Sequence, residues 1–180
     1  MPRHVGGRDL GSLATLFLFG VGVGVPLWLS SAAGAIGIPS NDDWVYMRAA
    51  ETLFHTATIE MPGHTAASIG RLVMVQPILW LSGGGDPWAF TAFGLIMALI
   101  GIASTYLLAR RFVGTSAAIM VSVLVLAFPG FAREAASFMT DVPMYALVML
   151  SLLLGTRWLQ GDGTRGTLIL WPPSWPVSLR

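Results

Sequence analysis

Residues 87–109 read PWAFTAFGLIMALIGIASTYLLA, a stretch in which no side chain carries a charge. Because a helix needs about 20 apolar residues to cross the hydrocarbon core of a bilayer, this stretch predicts a membrane-spanning helix. Three more charge-free stretches cover residues 10–40, 112–132 and 142–156, and we expect the span that contains the last of them to continue past Arg157 to residue 159. The sequence therefore predicts an all-α, polytopic membrane protein with about four transmembrane helices.

Two shorter segments lie between the first and second predicted spans. Residues 72–81 are apolar but too few to cross a bilayer, and Pro77 removes a backbone donor in their middle. They predict an interfacial or re-entrant helix that is bent or broken near Pro77. Residues 41–54 predict a helix along the membrane surface, with Trp44 and Met47 turned towards the lipid or the core.

The composition excludes several classes of protein. Hydrophobic residues make up 54% of the chain and charged residues 11%, whereas charged residues are about a quarter of a soluble domain. The net charge of +1 provides no basic surface for nucleic acid, so we expect no nucleic-acid partner. Without any Cys, the chain has neither a disulfide framework nor a cysteine nucleophile.

The arginines predict the orientation of the chain. The side of the N-terminus receives Arg3, Arg8, Arg110, Arg111, Arg157 and Arg165, whereas the other side receives only Arg48, Arg71 and Arg133. The positive-inside rule then places both termini in the cytoplasm and the loop of residues 40–86 outside the cell (inner) membrane. The acidic side chains expected on that outer side are Asp42, Asp43, Glu51, Glu60, Asp86, Glu134 and Asp141, and Arg71 and Arg133 are expected there too.

The outer side chains also have purely structural interpretations. Ser40 and Asp43 have the spacing of a capping box, so Asp42 and Asp43 would simply begin a helix. Asp141 stands two residues before a proline, which suits the N-terminus of the fourth span. Arg133 would belong to a solvated turn. Sequence alone leaves these alternatives open.

Three segments taken in order resemble a known family. Residues 41–50 (NDDWVYMRAA) open the outer loop, Gln76 and Pro77 lie in the short amphipathic segment, and residues 137–143 (SFMTDVP) enter the fourth span. These segments resemble bacterial glycosyltransferase family 39 proteins of the GT-C superfamily, which are similar to protein O-mannosyltransferases and lipid A aminoarabinose transferases. The resemblance covers about residues 10–160.

The resemblance implies transfer of a sugar from a polyprenyl-phosphate-linked donor to an acceptor on the outer membrane face. Asp42 would be the general base that deprotonates the acceptor hydroxyl. Asp43 would orient the acceptor or affect how readily Asp42 takes up the proton. Arg71 and Arg133 would bind the donor phosphate, because guanidinium offers two parallel donors to its oxygens. Asp141 would support the site from the fourth span.

This interpretation carries two further expectations about the site. Asp42, Asp43, Arg133 and Asp141 should approach one another over the ends of the first and fourth spans, since ionisable groups near hydrocarbon lower their cost by clustering. Metal dependence varies across the superfamily, so we assign neither a metal nor any other cofactor.

The end of the chain departs from the resembling family, whose members have more spans. Three prolines within residues 167–176 exclude a fifth span, so residues 161–180 are expected to form a short non-spanning tail that follows a truncation or frameshift. A partner would then supply further transmembrane helices. Alternatively, the four spans form a non-catalytic membrane subunit or a small transport protein, or residues 10–40 are a cleaved secretory signal.

Overall fold

The structure, a computed structural model, describes residues 10–34, 36, 42–59, 69–128 and 130–161. Its elements, in chain order, are α1 Leu10–Phe19, a π-helical segment Gly20–Gly24, α2 Val25–Ala32, α3 Asp43–Thr56, α4 Ile69–Ser82, α5 Pro87–Ala109, α6 Thr115–Leu126, α7 Phe131–Ala136 and α8 Asp141–Leu159. No strand occurs among these residues. The predicted all-α class is confirmed.

Two helices in the described part of the chain, α5 and α8, are long and apolar enough to cross a membrane. They coincide with the second and fourth predicted spans, and α8 ends at Leu159, as the sequence predicted. These two helices form the largest helix–helix contact of the fold. Gly101 lies at this contact, where a β-carbon would collide with the Tyr145 ring. A small residue is therefore required there for the two backbones to approach.

The first predicted span is helical, but it is not one regular α-helix. The π-helical segment Gly20–Gly24, with the sequence GVGVG, separates α1 from α2. Glycine is a weak α-helix former because its backbone has more freedom to lose, so three glycines in five residues allow this local change of winding. Residues 37–40 of the predicted span lie outside the described residues.

The extent predicted for the third span, residues 112–132, is wrong. A turn follows α5, and α6 has only 12 residues before the chain turns again. Gly130 then adopts a φ of 89°, a left-handed conformation that favours glycine, and α7 begins directly after it. The apolar run thus contains two changes of chain direction, which hydropathy does not register.

Two amphipathic helices, α3 and α4, form a pair in the predicted outer loop. Helix α3 confirms the helix predicted over residues 41–54, with Met47 packed against the core and Trp44 exposed. Asp42 is its N-cap residue and makes no side-chain cap bond, while Ser40 of the predicted capping box lies outside the described residues. The position of α3 and α4 along a membrane surface stays a prediction.

Helix α4 continues through Pro77, so the predicted break does not occur. Proline removes one backbone hydrogen bond, but buried side chains on both sides of it hold the helix against α3 and α5. Gln76 adds a tie between the pair, because its Nε2 donates to the carbonyl oxygens of Leu72 (2.7 Å) and Ala50 (3.2 Å).

The elements that form the candidate functional site lie together at one end of the helical bundle. The core beneath α3 and α4 includes Phe90 and Phe93 from the N-terminal part of α5, together with Phe138 from the α7–α8 connection. Thr91 donates to the carbonyl oxygen of Ala136 at the end of α7. The N-terminal ends of α5 and α8 therefore lie beside α3, α4 and α7.

The opposite end of the bundle carries arginine. Arg111, after the C-terminus of α5, donates to the side chain of Gln160, after the C-terminus of α8. Arg110 lies in the same turn, and Arg157 is in the last turn of α8. The acids and the basic turn thus occupy opposite ends of the spans, as the sequence predicted.

Candidate functional site

Arg71 is a buried cation at the end of the bundle described above. It stands in the first turn of α4 with 4% of its surface exposed. Its Nη1 donates to the carbonyl oxygen of Phe138 at 2.8 Å. Its Nε and Nη2 are buried and make no hydrogen bond with any described residue. The Nε–Nη2 edge of the guanidinium, which presents two parallel N–H donors, is therefore buried without a hydrogen-bond partner among the described residues.

Two aromatic rings flank this guanidinium. The Cζ atom of Arg71 lies 3.9 Å from the ring centroid of Tyr46 on α3 and 4.7 Å from that of Phe138. Both distances lie within the range of cation–π attraction, which is stronger where the groups are removed from water. We call Arg71, Tyr46 and Phe138 the arginine clamp.

Carboxylates supply opposite charge around the clamp. Asp43, in the first turn of α3, is 4% exposed, and both Asp43 and Asp141 interact electrostatically with Arg71. Burial lowers the pKa of Arg71 from its usual range, while Tyr46, Asp43 and Asp141 act in the opposite direction. Arginine loses its proton only at very high pH, so the clamp holds a permanent positive charge.

The predicted site residues divide into two groups. Arg71, Asp43 and Asp141 come close enough to interact, although α3, α4 and α8 are far apart in the chain. Asp42 is exposed beside Asp43, and Arg133 is exposed on α7. Within the described residues, no hydrogen bond or ion pair connects either of these two side chains to Arg71. The predicted pocket of four ionisable residues, and their roles, stay predictions.

A groove lies on the other side of Asp141, between α6, α7 and α8. Its volume is about 220 Å³ and its walls are apolar. The lining residues are Val125, Phe128, Phe131, Glu134, Asp141, Val142 and Tyr145. Asp141 therefore belongs both to the surroundings of Arg71 and to this groove.

Among the described residues, no three His, Asp or Glu side chains come together in an arrangement suited to a metal ion. The expectation that assigns neither a metal nor another cofactor to this site stays a prediction.

Sequence reasoning missed Tyr46 and Phe138. Both occur in the segments that carry the family resemblance, but nothing in their spacing shows that they face the same arginine. Aromatic side chains near predicted span ends are usually interfacial anchors, so their residue type alone gave no signal. Only the packing of α3 against α4 and of the α7–α8 connection against α5 brings the two rings together.

These features, long apolar helices with a charged site at one end of the bundle, define a membrane-integral protein with a polar site. A family model described as dolichyl-phosphate-mannose-protein mannosyltransferase matches residues 67–172. The match covers more than half of the chain, which therefore belongs to this family of membrane glycosyltransferases of the GT-C type. No curated protein and no solved structure matched the chain.

The family match includes some of the site residues and not others. Arg71, Arg133 and Asp141 lie within it, whereas Asp42 and Asp43 precede it. The match also continues past residue 160, and the division of the chain at that residue stays a prediction. The resemblance to GT-C glycosyltransferases noted in the sequence is confirmed.

Proposed function

We propose that this chain transfers a sugar from a polyprenyl-phosphate-linked donor to an acceptor hydroxyl at the outer face of the cell (inner) membrane. The observation that carries the proposal is the Nε–Nη2 edge of the buried Arg71, which has no hydrogen-bond partner among the described residues. Two parallel N–H donors match two oxygens of a phosphate, and a buried guanidinium gains strongly from an anionic partner. In a membrane glycosyltransferase, the phosphate of the lipid donor is a suitable ligand for that edge.

The two adjacent carboxylates would have different tasks. Asp43 is buried and interacts with the charge of Arg71, so it is committed to the interior of the site. Asp42 is exposed and can reach an acceptor that approaches from water. We assign Asp42 as the general base and Asp43 as the group that orients the acceptor and Arg71.

The reaction then follows from these assignments. Asp42 accepts the proton of the acceptor hydroxyl while the hydroxyl oxygen forms a bond to the anomeric carbon of the sugar. The bond between that carbon and the phosphate oxygen breaks, and the electron pair leaves with the lipid phosphate. Arg71 stabilises the phosphate as its charge increases, with Arg133 as a second phosphate contact from α7 and Asp141 as a support on α8.

Lipid binding by the intact chain tests this proposal. We expect the chain in lipid nanodiscs to bind a polyprenyl phosphate more tightly than the corresponding neutral polyprenol. Arg71→Met should reduce this preference by about tenfold to a hundredfold, because hydrogen bonds to charged groups contribute about 1.5–3 kcal/mol. Arg71→Lys should reduce it less, since lysine keeps the charge but not the two parallel donors.

Arg48→Met is the matched control for this measurement. Arg48 lies on α3 in the same loop, but its side chain is exposed. The control should keep the preference of the wild type for phosphate, and gel filtration in detergent should show that all variants are folded. Equal affinities of the wild type for the phosphate and the alcohol would refute the proposed donor class.

A topology experiment tests the proposed location of the site. Reporter fusions at Gly84 and Gly163 should give opposite signals, because the proposal places the loop of residues 40–86 outside and the C-terminus in the cytoplasm. A fusion at Gly114, between α5 and α6, serves as a control and should agree with the fusion at Gly163. The same signal at Gly84 and Gly163 would reject this orientation.

A further inference from the structure

We infer that Tyr46 and Phe138 are positioning residues that hold Arg71 with its Nε–Nη2 edge directed at the donor phosphate. This inference rests on the proposed function, because it concerns how the same site recognises its ligand. It adds two residues that neither touch the reacting atoms nor carry charge. Their contribution is to fix the orientation of a cation.

An unrestrained arginine side chain can adopt many rotamers. A long, flexible side chain loses rotamer entropy when it is fixed, and arginine binds phosphate in bidentate fashion only if its guanidinium plane is correctly oriented. The rings of Tyr46 and Phe138 restrain this plane through the contacts of 3.9 Å and 4.7 Å. The guanidinium is therefore held in place before any ligand arrives.

A hydrogen bond also restrains rotation of the guanidinium within its plane. The bond from Nη1 to the carbonyl oxygen of Phe138, at 2.8 Å, occupies one side of the guanidinium. Because Nη1 is held there, the Nε and Nη2 donors must point away from this carbonyl. The two rings restrain the guanidinium plane, and the hydrogen bond of Nη1 restrains rotation within that plane. Together they leave the Nε and Nη2 donors in one orientation.

The residues of the arginine clamp are themselves held by packing contacts. The Phe138 ring lies 4.8 Å from the Phe90 ring and 5.7 Å from the Phe93 ring, both on α5. Tyr46 is three residues after Asp43 on α3, so the ring and the buried carboxylate lie on neighbouring positions of one helix face. The orientation of Arg71 is thus set by a spanning helix on one side and by the outer-loop helix on the other.

A binding experiment with the full chain in lipid nanodiscs separates positioning from packing. The measured quantity is the ratio of the affinities for polyprenyl phosphate and for neutral polyprenol. Tyr46→Phe keeps the ring but removes the hydroxyl, which also acts on Arg71, so it should lower the ratio less than Tyr46→Leu does. Tyr46→Leu removes cation–π attraction and should lower the ratio by about five- to thirtyfold.

A double-mutant cycle with Arg71→Lys provides a readout that general destabilisation would not move. A lysine ammonium has no preferred plane, so Tyr46→Leu should lower the ratio much less in the Arg71→Lys background. Leu79→Ala is the packing control, because Leu79 is buried in the same core but neither belongs to the clamp nor supplies a ring that contacts it. Should Tyr46→Leu fail to fold, Phe138→Leu replaces it, since this variant keeps the backbone carbonyl.

The outcomes distinguish this inference from the proposed function. If the wild type does not prefer the phosphate, the proposed function fails and the inference fails with it. If the preference is lost in Arg71→Met but unchanged in Tyr46→Leu and Phe138→Leu, only the positioning role is overturned. An equal loss in Leu79→Ala and Tyr46→Leu, or additive effects in the cycle, would also overturn it, because both results indicate packing.

Discussion

Asp42→Asn is expected to lower the rate of sugar transfer by about 10²- to 10⁴-fold, the range that a positioned general base contributes. The substitution removes only the proton-accepting oxygen. Asn is as good an N-cap residue as Asp, so α3 should still begin at Asp43 and the fold should persist. The measurement is transfer from a labelled polyprenyl-phosphate-linked sugar in membranes of cells that express the chain.

Two comparisons make this result specific to Asp42. Glu51→Gln neutralises another carboxylate on α3, outside the proposed site, and should leave transfer unchanged. Asp43→Asn should reduce transfer less than Asp42→Asn, because its proposed task is to orient groups and not to accept the proton. Transfer at the wild-type rate by Asp42→Asn would remove the assignment of the base.

Gly94→Ala is expected to destabilise the protein by about 1–3 kcal/mol, because it overpacks the contact between α5 and α7. A β-carbon at Gly94 would collide with the carbonyl oxygen of Ala135 and lie 2.9 Å from that of Ser137. Both are backbone atoms, which cannot rotate away as a side chain would. Helix α7 would have to move away from α5, and the adjacent carbonyl of Phe138 that accepts from Arg71 would move with it.

Thermal unfolding in detergent measures this effect, and the lipid-binding ratio shows whether Arg71 is displaced. Gly70→Ala in α4 is the control, because a β-carbon there meets no atom of the described chain within 4 Å. That substitution should be neutral or slightly stabilising, since alanine is the better helix former. A Gly94→Ala variant as stable as the wild type would show that α7 does not pack against α5 as described.

The predictable parts of this fold are those that depend on length and polarity alone. Helices α5 and α8 lie where uninterrupted apolar residues satisfy the length of a span, and α3 follows from its amphipathic pattern. The extent of α6 could not be predicted, because its ends are set by backbone turns inside an apolar run. Likewise, Pro77 suggested a break that the packing of α4 against α3 and α5 prevents.

The same limit applies to the candidate site. Arg71 was predicted as a phosphate ligand because the family resemblance implies a lipid-phosphate donor and guanidinium suits phosphate oxygens. Its unpartnered Nε–Nη2 edge could not be predicted, because it depends on the burial of Arg71 beside two rings and on the bond from its Nη1 to the Phe138 carbonyl. Such an arrangement depends on contacts between helices that are distant in the chain.

The shortness of α6 has a consequence for the surrounding lipid. At a rise of 1.5 Å per residue, its 12 residues extend only about 18 Å, whereas the 23 residues of α5 extend about 34 Å. A hydrocarbon core of about 30 Å therefore matches α5 but exceeds α6, and the bilayer can relieve this hydrophobic mismatch by thinning beside α6. Helix α6 leads into α7 and the groove at Asp141. A membrane deformed at that place would lower its headgroup layer towards the arginine clamp and shorten the path of a lipid-borne phosphate into the protein.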